Sequence, residues 1–202
     1  MNLDNLKSEY IANIYKTKAL LIKEQPFTLQ SGKKSHIYLN HRNFLSHHSY
    51  LSLIAKTYYV LAENIKTDYM LGAVDSIMSP IIVGAMSTLF NKDYIVTRRT
   101  PLTHGTQEYI YGEIKTNVVL IDDMTSTGDT LIDAAEKIRG RGGVVKYAII
   151  SAYRENTAIE NLLKKDIQTL SIASFAYVIK SLEQTLSPQE KAIVTQYPII
   201  FD

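Results

Sequence analysis

The chain of 202 residues is 46% hydrophobic and nearly balanced in charge, with 22 Lys and Arg against 20 Asp and Glu. This length suits one well-buried domain, and the balance carries no overall signature of a nucleic-acid or membrane partner, so any affinity for anions must be local. The absence of cysteine excludes disulfides, thiolate catalysis and Cys-ligated zinc, and no apolar run approaches about twenty residues, the length of a membrane span. The N-terminus is charged and periodic and lacks the apolar centre of a signal peptide, so a cytoplasmic protein is expected. No linker, repeat or low-complexity tract divides the chain, which predicts a single domain over 1–202.

Taken in order, Leu3, Leu6, Tyr10, Ile11, Ile14, Tyr15, Leu21 and Ile22 form a helical stripe that stops before Pro26. Phe27 to Leu29 and Ser35 to Asn40 read as strands of a hairpin around Ser31-Gly32, and this N-terminal part, mainly 1–45, would form a hood over the core at about 46–175. His41, His47 and His48 offer no metal set, because adjacent histidines diverge and no carboxylate lies at a useful spacing; they are assigned to the surface. A second helix is predicted from Ser49 to Ile65 and a strand from Tyr69 to Val74, with Ser79 and Pro80 as N-cap and first turn of the next helix. Tyr94 to Thr97, Val118 to Ile121, Val144 to Ala152 and Ile167 to Ser174 complete the strands, and Gly140, Gly142 and Gly143 break the helix before the third of these. The polar segment from Arg98 to Gly112 reads as a mobile loop or loose hairpin. Alternating β and α elements imply an α/β fold, a parallel sheet flanked by helices on both faces.

The stretch Val118 to Thr130, VVLIDDMTSTGDT, concentrates the chemistry. Its apolar run suits a central parallel strand, which places Asp122 and Asp123 at the carboxyl end, where ligands bind in open α/β sheets. Ser126, Thr127 and Thr130 supply hydroxyls, Gly128 allows close backbone approach, and a helix predicted from about Asp129 turns free amides and a positive dipole end toward the loop. A phosphate monoester fits that turn. The Gly-rich, Lys-Ser/Thr-ended loop of triphosphate sites is absent, whereas carboxylates accept hydrogen bonds from a sugar diol. A lone Asp-Asp or Thr-Gly pair is more often a solvated, N-capped helix start; the full arrangement reverses that balance.

This stretch resembles the phosphoribosyl pyrophosphate (PRPP) motif of type I phosphoribosyltransferases: two acids, two variable residues, then a Ser/Thr-Thr-Gly-x-Thr/Ser loop. Other segments look like the orotate phosphoribosyltransferases within that family. Phe27 to Asn40, FTLQSGKKSHIYLN, is similar to their N-terminal Ser-Gly-basic-x-Ser hairpin, and RRTPLTHG from Arg98 to Gly105 is similar to their mobile basic loop. The resemblance covers about residues 26 to 160. It implies transfer of phosphoribose from PRPP to orotate, giving orotidine 5′-monophosphate and pyrophosphate. It further implies PRPP contacts from Arg98, Arg99, His104, Asp122, Asp123, Met124, Thr125, Ser126, Thr127, Gly128, Asp129 and Thr130, with Asp122, Asp123, Arg99 and His104 catalytic. Orotate contacts are implied for Tyr38, Leu39, Ser126 and Arg154, the last pairing with the acidic base. Magnesium is implied as a cofactor carried by PRPP, with no direct side-chain ligand, and a homodimer in which the basic loop reaches the neighbouring subunit's site.

The chain departs from the family pattern at several points. Leu102 stands where the mobile loop usually carries a lysine, Gln30 replaces a lysine beside the base site, and Thr125 replaces an aliphatic residue. The segment from Ala73 to Pro80 lacks the glycines that usually turn the backbone toward pyrophosphate. Other readings are transfer to a different base, a non-catalytic PRPP or nucleotide sensor, and a generic nucleotide-binding domain.

Overall fold

The computed structural model describes residues 2–29, 32, 34–101 and 108–197. Helix α1 (Leu3–Lys16) leads into a hairpin of β1 (Leu20–Thr28) and β2 (Lys34–Leu39), and then into helices α2 (His41–Leu45) and α3 (His48–Ala62). The core continues as β3 (Tyr69–Ala73), α4 (Ser79–Phe90), β4 (Tyr94–Thr97), β5 (Ile110–Tyr111), β6 (Asn117–Ile121), β7 (Met124–Thr125) and α5 (Asp129–Gly140). It closes with β8 (Val145–Tyr153), α6 (Asn156–Lys164), β9 (Gln168–Ser174), α7 (Phe175–Leu182) and α8 (Pro188–Gln196). Seven strands form the main sheet, in which β3, β4, β6, β7, β8 and β9 pair parallel and only the short edge strand β5 runs antiparallel, beside β4.

The period-two alternation of a sheet buried on both faces is read directly in β6. Val119 and Ile121 face the core built with α1, α3, α4 and α7, while Val118 and Leu120 face the core built with α5 and α6. Ile149 and Ala152 of β8 point to the first of these layers, and Ala148 and Ile150 to the second. Leu20, Ile22, Ile37 and Leu39 of the hairpin join the first layer, which docks the hood on the same apolar cluster as the sheet.

Three predicted elements differ from those observed. Leu21 and Ile22 belong to β1, opposite Tyr38 and Ile37, and not to the first helix. That helix ends at Lys16 because Lys18 adopts a left-handed backbone (φ 56°), and adjacent apolar residues fit either a helical or a strand period. Pro26 lies inside β1, at the irregularity between Ile22 and Phe27, where no ladder bond is required of it. The predicted helix from 49 to 65 runs instead from His48 to Ala62. Ser79 is the first helical residue of α4 rather than its cap, which is Met78. Its hydroxyl turns inward, accepting from Val74 N at 2.8 Å and donating to Ile121 O, and so ties the β3–α4 turn to the end of β6.

Gly72 marks where β3 and β6 approach most closely, since a Cβ there would meet Val118 Cγ1 at 2.6 Å and Leu120 Cδ2 at 3.0 Å. A new side chain in a strand gains about 0.4–1 kcal/mol through the unfolded chain, less than the cost of overpacking. Gly72→Ala is therefore expected to destabilise the protein by about 1–3 kcal/mol in urea unfolding.

Candidate active site

β6 and β7 occupy one lane beside β8, with Ile121 opposite Ile149 and Met124 opposite Ala152. Asp122 and Asp123 fill the break between them. Their backbones stay tied to β8, Asp122 N donating to Ile149 O at 3.1 Å and Asp123 O accepting from Ser151 N at 3.0 Å, so two side chains are presented at the strand end without loosening the sheet. Tyr58, fully buried on α3, donates to Asp122 O at 2.7 Å and lies 2.7 Å from Ser151 Oγ, which secures this break from below.

The two carboxyls have different surroundings. Asp122 is 4% exposed, and its Oδ1 accepts from Ser76 Oγ at 2.8 Å and from Asp123 N at 3.0 Å. Burial, and then the neighbouring charge of Asp123, push its carboxyl well above the usual range. Burial also acts to raise Asp123, but the hydrogen-bonding and charge of His41, with the Asp122 carboxyl, outweigh it and hold Asp123 below that range. Of the pair, Asp122 therefore holds a proton to higher pH and Asp123 ionises first.

His41, assigned above to the surface, is only 2% exposed, whereas His47 and His48 are exposed as expected. Its Nδ1 lies 3.2 Å from Asp123 Oδ2, off the line of a good hydrogen bond, and its Nε2 lies 2.7 Å from the Tyr10 hydroxyl. The reason is tertiary: β2 delivers residue 41 to the cleft floor, where Tyr10 and Phe44 close over the ring.

A cleft of about 290 Å³ opens above the acids. Of the predicted site residues, the structure brings Tyr38, Leu39, Arg99, Asp122, Asp123, Met124 and Thr130 into its wall. Arg99, exposed, donates through Nη2 to Thr130 Oγ1 at 2.6 Å, and its amide donates to Asp75 Oδ2 at 3.0 Å, which brings the base of the basic loop over the start of α5. Arg98 lies beside it, half-buried; Lys137 of α5 donates to both arginine carbonyls, at 2.9 and 3.0 Å, and to Asp133 at 2.7 Å. His104, with Leu102, lies outside the described residues, as do Gln30 and Ser31.

The turn from Thr125 to Gly128 leads into α5. Thr125, in the position where the family has an aliphatic residue, uses its hydroxyl to accept from Gly128 N at 2.9 Å and so shapes the turn. Gly128 has φ 89°, and as N-cap it makes no side-chain cap bond, so the first amides of α5 face the loop without a competing side-chain acceptor. Ser126 is half-buried there, Thr127 donates to Asp129 Oδ2 at 2.8 Å, and Asp129 opens the helix.

Arg154 does not stand free at a strand end as the sequence suggests. It is 5% exposed, donates to Ser35 Oγ at 3.0 Å and to Ile37 O at 2.9 Å, and stacks over Phe175 at 4.5 Å. Burial lowers its basicity, partly offset by Glu155. Its Nε is buried with no partner, a donor still to be satisfied. The reading of local spacing also overlooked Asn40 and Arg42 in the cleft wall, Ser76 at Asp122 and Lys137 beneath the loop base. Ser76 carried a signal in its place just after a strand; the others have none short of the fold.

No family model matches the chain. It is 30% identical over 161 residues to the orotate phosphoribosyltransferase of Methanocaldococcus jannaschii, spanning 79% of this chain and 88% of that protein. Among solved structures, UMP synthase of Leishmania donovani matches with a TM-score of 0.79 and 25% identity over 95% of this chain. The match spans 42% of the UMP synthase chain, so this protein corresponds to less than half of it. The orotate phosphoribosyltransferase of Aeropyrum pernix shares the fold with a TM-score of 0.73 at 20% identity, covering 86% of this chain and 99% of that one.

Carboxyl carbon NMR across a pH titration is expected to show the acid pair losing protons in two steps, one above and one below the ordinary carboxylate range. Asp122→Asn should abolish the upper step and keep the lower one.

Proposed function

The chain belongs to the orotate phosphoribosyltransferase family, and on that premise we propose that its cleft transfers phosphoribose from PRPP to N1 of orotate, giving orotidine 5′-monophosphate and pyrophosphate. One observation carries the assignment of the site: an ionised Asp123, the uncapped start of α5 and the Arg99–Thr130 contact meet around a single cleft.

In this reading Thr125, Ser126, Thr127, Gly128, Asp129 and Thr130 cradle the 5′-phosphate, whose charge is met by turn hydroxyls and by the amides and dipole end of α5. Asp123 accepts from the ribose diol. As the bond from C1′ to the pyrophosphate oxygen breaks, the bonding pair leaves with pyrophosphate and positive charge grows at C1′ and the ring oxygen, which a fixed carboxylate stabilises. N1 of orotate, having given up its proton, supplies the pair for the new bond to C1′. Asp122, neutral and tied to Ser76, sets the position of its neighbour and completes the polar floor. Met124 packs in the cleft wall.

Arg98 and Arg99 receive the departing pyrophosphate, with His104 of the basic loop completing the set. Magnesium, arriving bound to PRPP, would neutralise pyrophosphate charge as it leaves. Asp75 on the cleft wall would offer a hard carboxylate oxygen to that ion or to its bound water. Tyr38 and the Leu39 backbone line the base side of the cleft. For Arg154 to pair with the orotate carboxylate, the hairpin it holds through Ser35 and Ile37 would have to shift, since its unpartnered Nε is buried and the residue lies outside the cleft wall.

We further propose a homodimer working in the cytoplasm. Ile81 and Leu89 of α4, 44% and 49% exposed, offer apolar surface suited to a second copy. Among the described residues no helix is long and apolar enough to cross a membrane.

The test is an assay with magnesium and PRPP that follows loss of orotate absorbance beside adenine, hypoxanthine and uracil. Orotate alone should be consumed, with pyrophosphate released; consumption of another base in its place, or of none, would reject the proposal. Asp123→Asn should lower kcat by about 10²-fold or more, and a variant turning over at the normal rate would remove Asp123 from its role.

A further inference from the structure

We propose that His41 is a positioning residue for this transfer: clamped by Tyr10, its ring fixes the orientation of Asp123 at the ribosyl centre. The inference rests on the reading of the cleft given above.

Three observations converge on it. The ring is 2% exposed, hydrogen-bonded through Nε2 to the Tyr10 hydroxyl at 2.7 Å, with Nδ1 3.2 Å from Asp123 Oδ2. Ser76 and the Asp123 amide both donate to Asp122, which leaves His41 as the basic side chain paired with Asp123. Tyr10 is itself fully buried and packs edge-on against Phe44, so the hydroxyl that holds the ring has little room to turn.

The tautomer follows from the partners. Nδ1 faces a carboxylate and so carries the proton, which makes Nε2 the acceptor of the Tyr10 hydroxyl. Burial keeps that phenol protonated. The titratable groups against the ring are Tyr10 from α1 and Asp123 after β6, with Tyr58 from α3 and Asp122 just beyond them. Both tyrosines are neutral donors or acceptors and Asp122 holds its proton, so the ring's electrostatic partner is Asp123. The chain Tyr10–His41–Asp123 runs from the first helix, beneath the hairpin, to the carboxylate in the cleft. Any buried imidazole needs polar partners; what points to positioning is that one of them is the Asp123 carboxylate in the cleft. A ring held at Nε2 by Tyr10 and closed in by Phe44 keeps one orientation, with Nδ1 set 3.2 Å from the carboxylate it orients.

The test combines kinetics with a double-mutant cycle. His41→Leu should lower kcat by about tenfold to a hundredfold while the KM for PRPP changes by less than about threefold. His41→Asn, which can keep an N–H beside Asp123, should recover most of the loss. In an Asp123→Asn background the His41→Leu effect should vanish, whereas a role in packing alone would add its full loss there. Carboxyl carbon NMR supplies a readout that needs no turnover: the Asp123 step should move upward in His41→Leu. Normal kcat in His41→Leu, additive losses in the cycle, or an unmoved Asp123 step would each overturn the inference. If His41→Leu fails to fold, Tyr10→Phe and His41→Asn carry the same cycle, with smaller losses that should again vanish beside Asp123→Asn. Failure of the assigned reaction shows separately, as absent turnover in the wild type, and the Asp123 titration still decides the role of His41.

Discussion

Two adjacent carboxyl groups at the end of a buried strand cannot both be charged cheaply, because each has lost water and each repels the other. Much of the structure around β6 satisfies that constraint. Burial shifts Asp122 toward its protonated form and Ser76 holds it, the backbone of the pair is fixed by Ser151 and Tyr58, and Asp123 faces His41. These partners come from α2, α3, β8 and the β3–α4 turn. The strand end is therefore a meeting point of tertiary structure as much as a feature of one segment. The same arrangement gives the pair its division of labour, with one carboxyl shaping the floor and the other holding the charge.

The hairpin is tied to the sheet by a buried guanidinium. Arg154 leaves the end of β8, stacks on Phe175 and donates to Ser35 and Ile37 of β2. Apolar contact alone would dock the hood, since Leu20, Ile22, Ile37 and Leu39 enter the main core. The guanidinium adds direction to that docking, because a rigid fork meets its acceptors in one geometry. The roof of the cleft and the strand end beneath it are thus set by one side chain.

On the opposite wall, Lys137 performs the corresponding task for the basic loop. Its ammonium bonds the carbonyls of Arg98 and Arg99 and lies 5.0 Å from the Tyr109 ring centroid, which holds the loop base against α5. A loop anchored at its base in this way holds Arg99 at the cleft wall. The glycine-free turn after β3 shows a related economy of means. Ser76 and Ser79 supply the hydrogen bonds that close it, while the Ile77 side chain is turned outward, 64% exposed. The backbone therefore forms a tight turn here without a residue that needs a left-handed conformation.

What the sequence determined by itself is what short-range chemistry encodes. The strand from Tyr94 to Thr97, the apolar run ending at Ile121 and the helix beginning at Asp129 were legible because β-branched runs, paired acids and a glycine before a helix act within a few residues. So was the polar loop that follows Val118 to Ile121, and with it the character of the site. Only the tertiary structure decided where Leu21 and Ile22 belong, since neighbouring apolar residues satisfy both periods until Tyr38 and Ile37 pair with them. It alone turned Ser79 inward to a strand end and Arg154 toward the hairpin. His41 is the plainest case. Nothing near it in the chain distinguishes it from His47 and His48, and its burial, its tautomer and its partner all arise from packing α1 and β2 beneath the break in β6. Such groups meet only when the chain has folded, because a carboxylate and an imidazole distant in sequence carry no local periodicity that records their pairing.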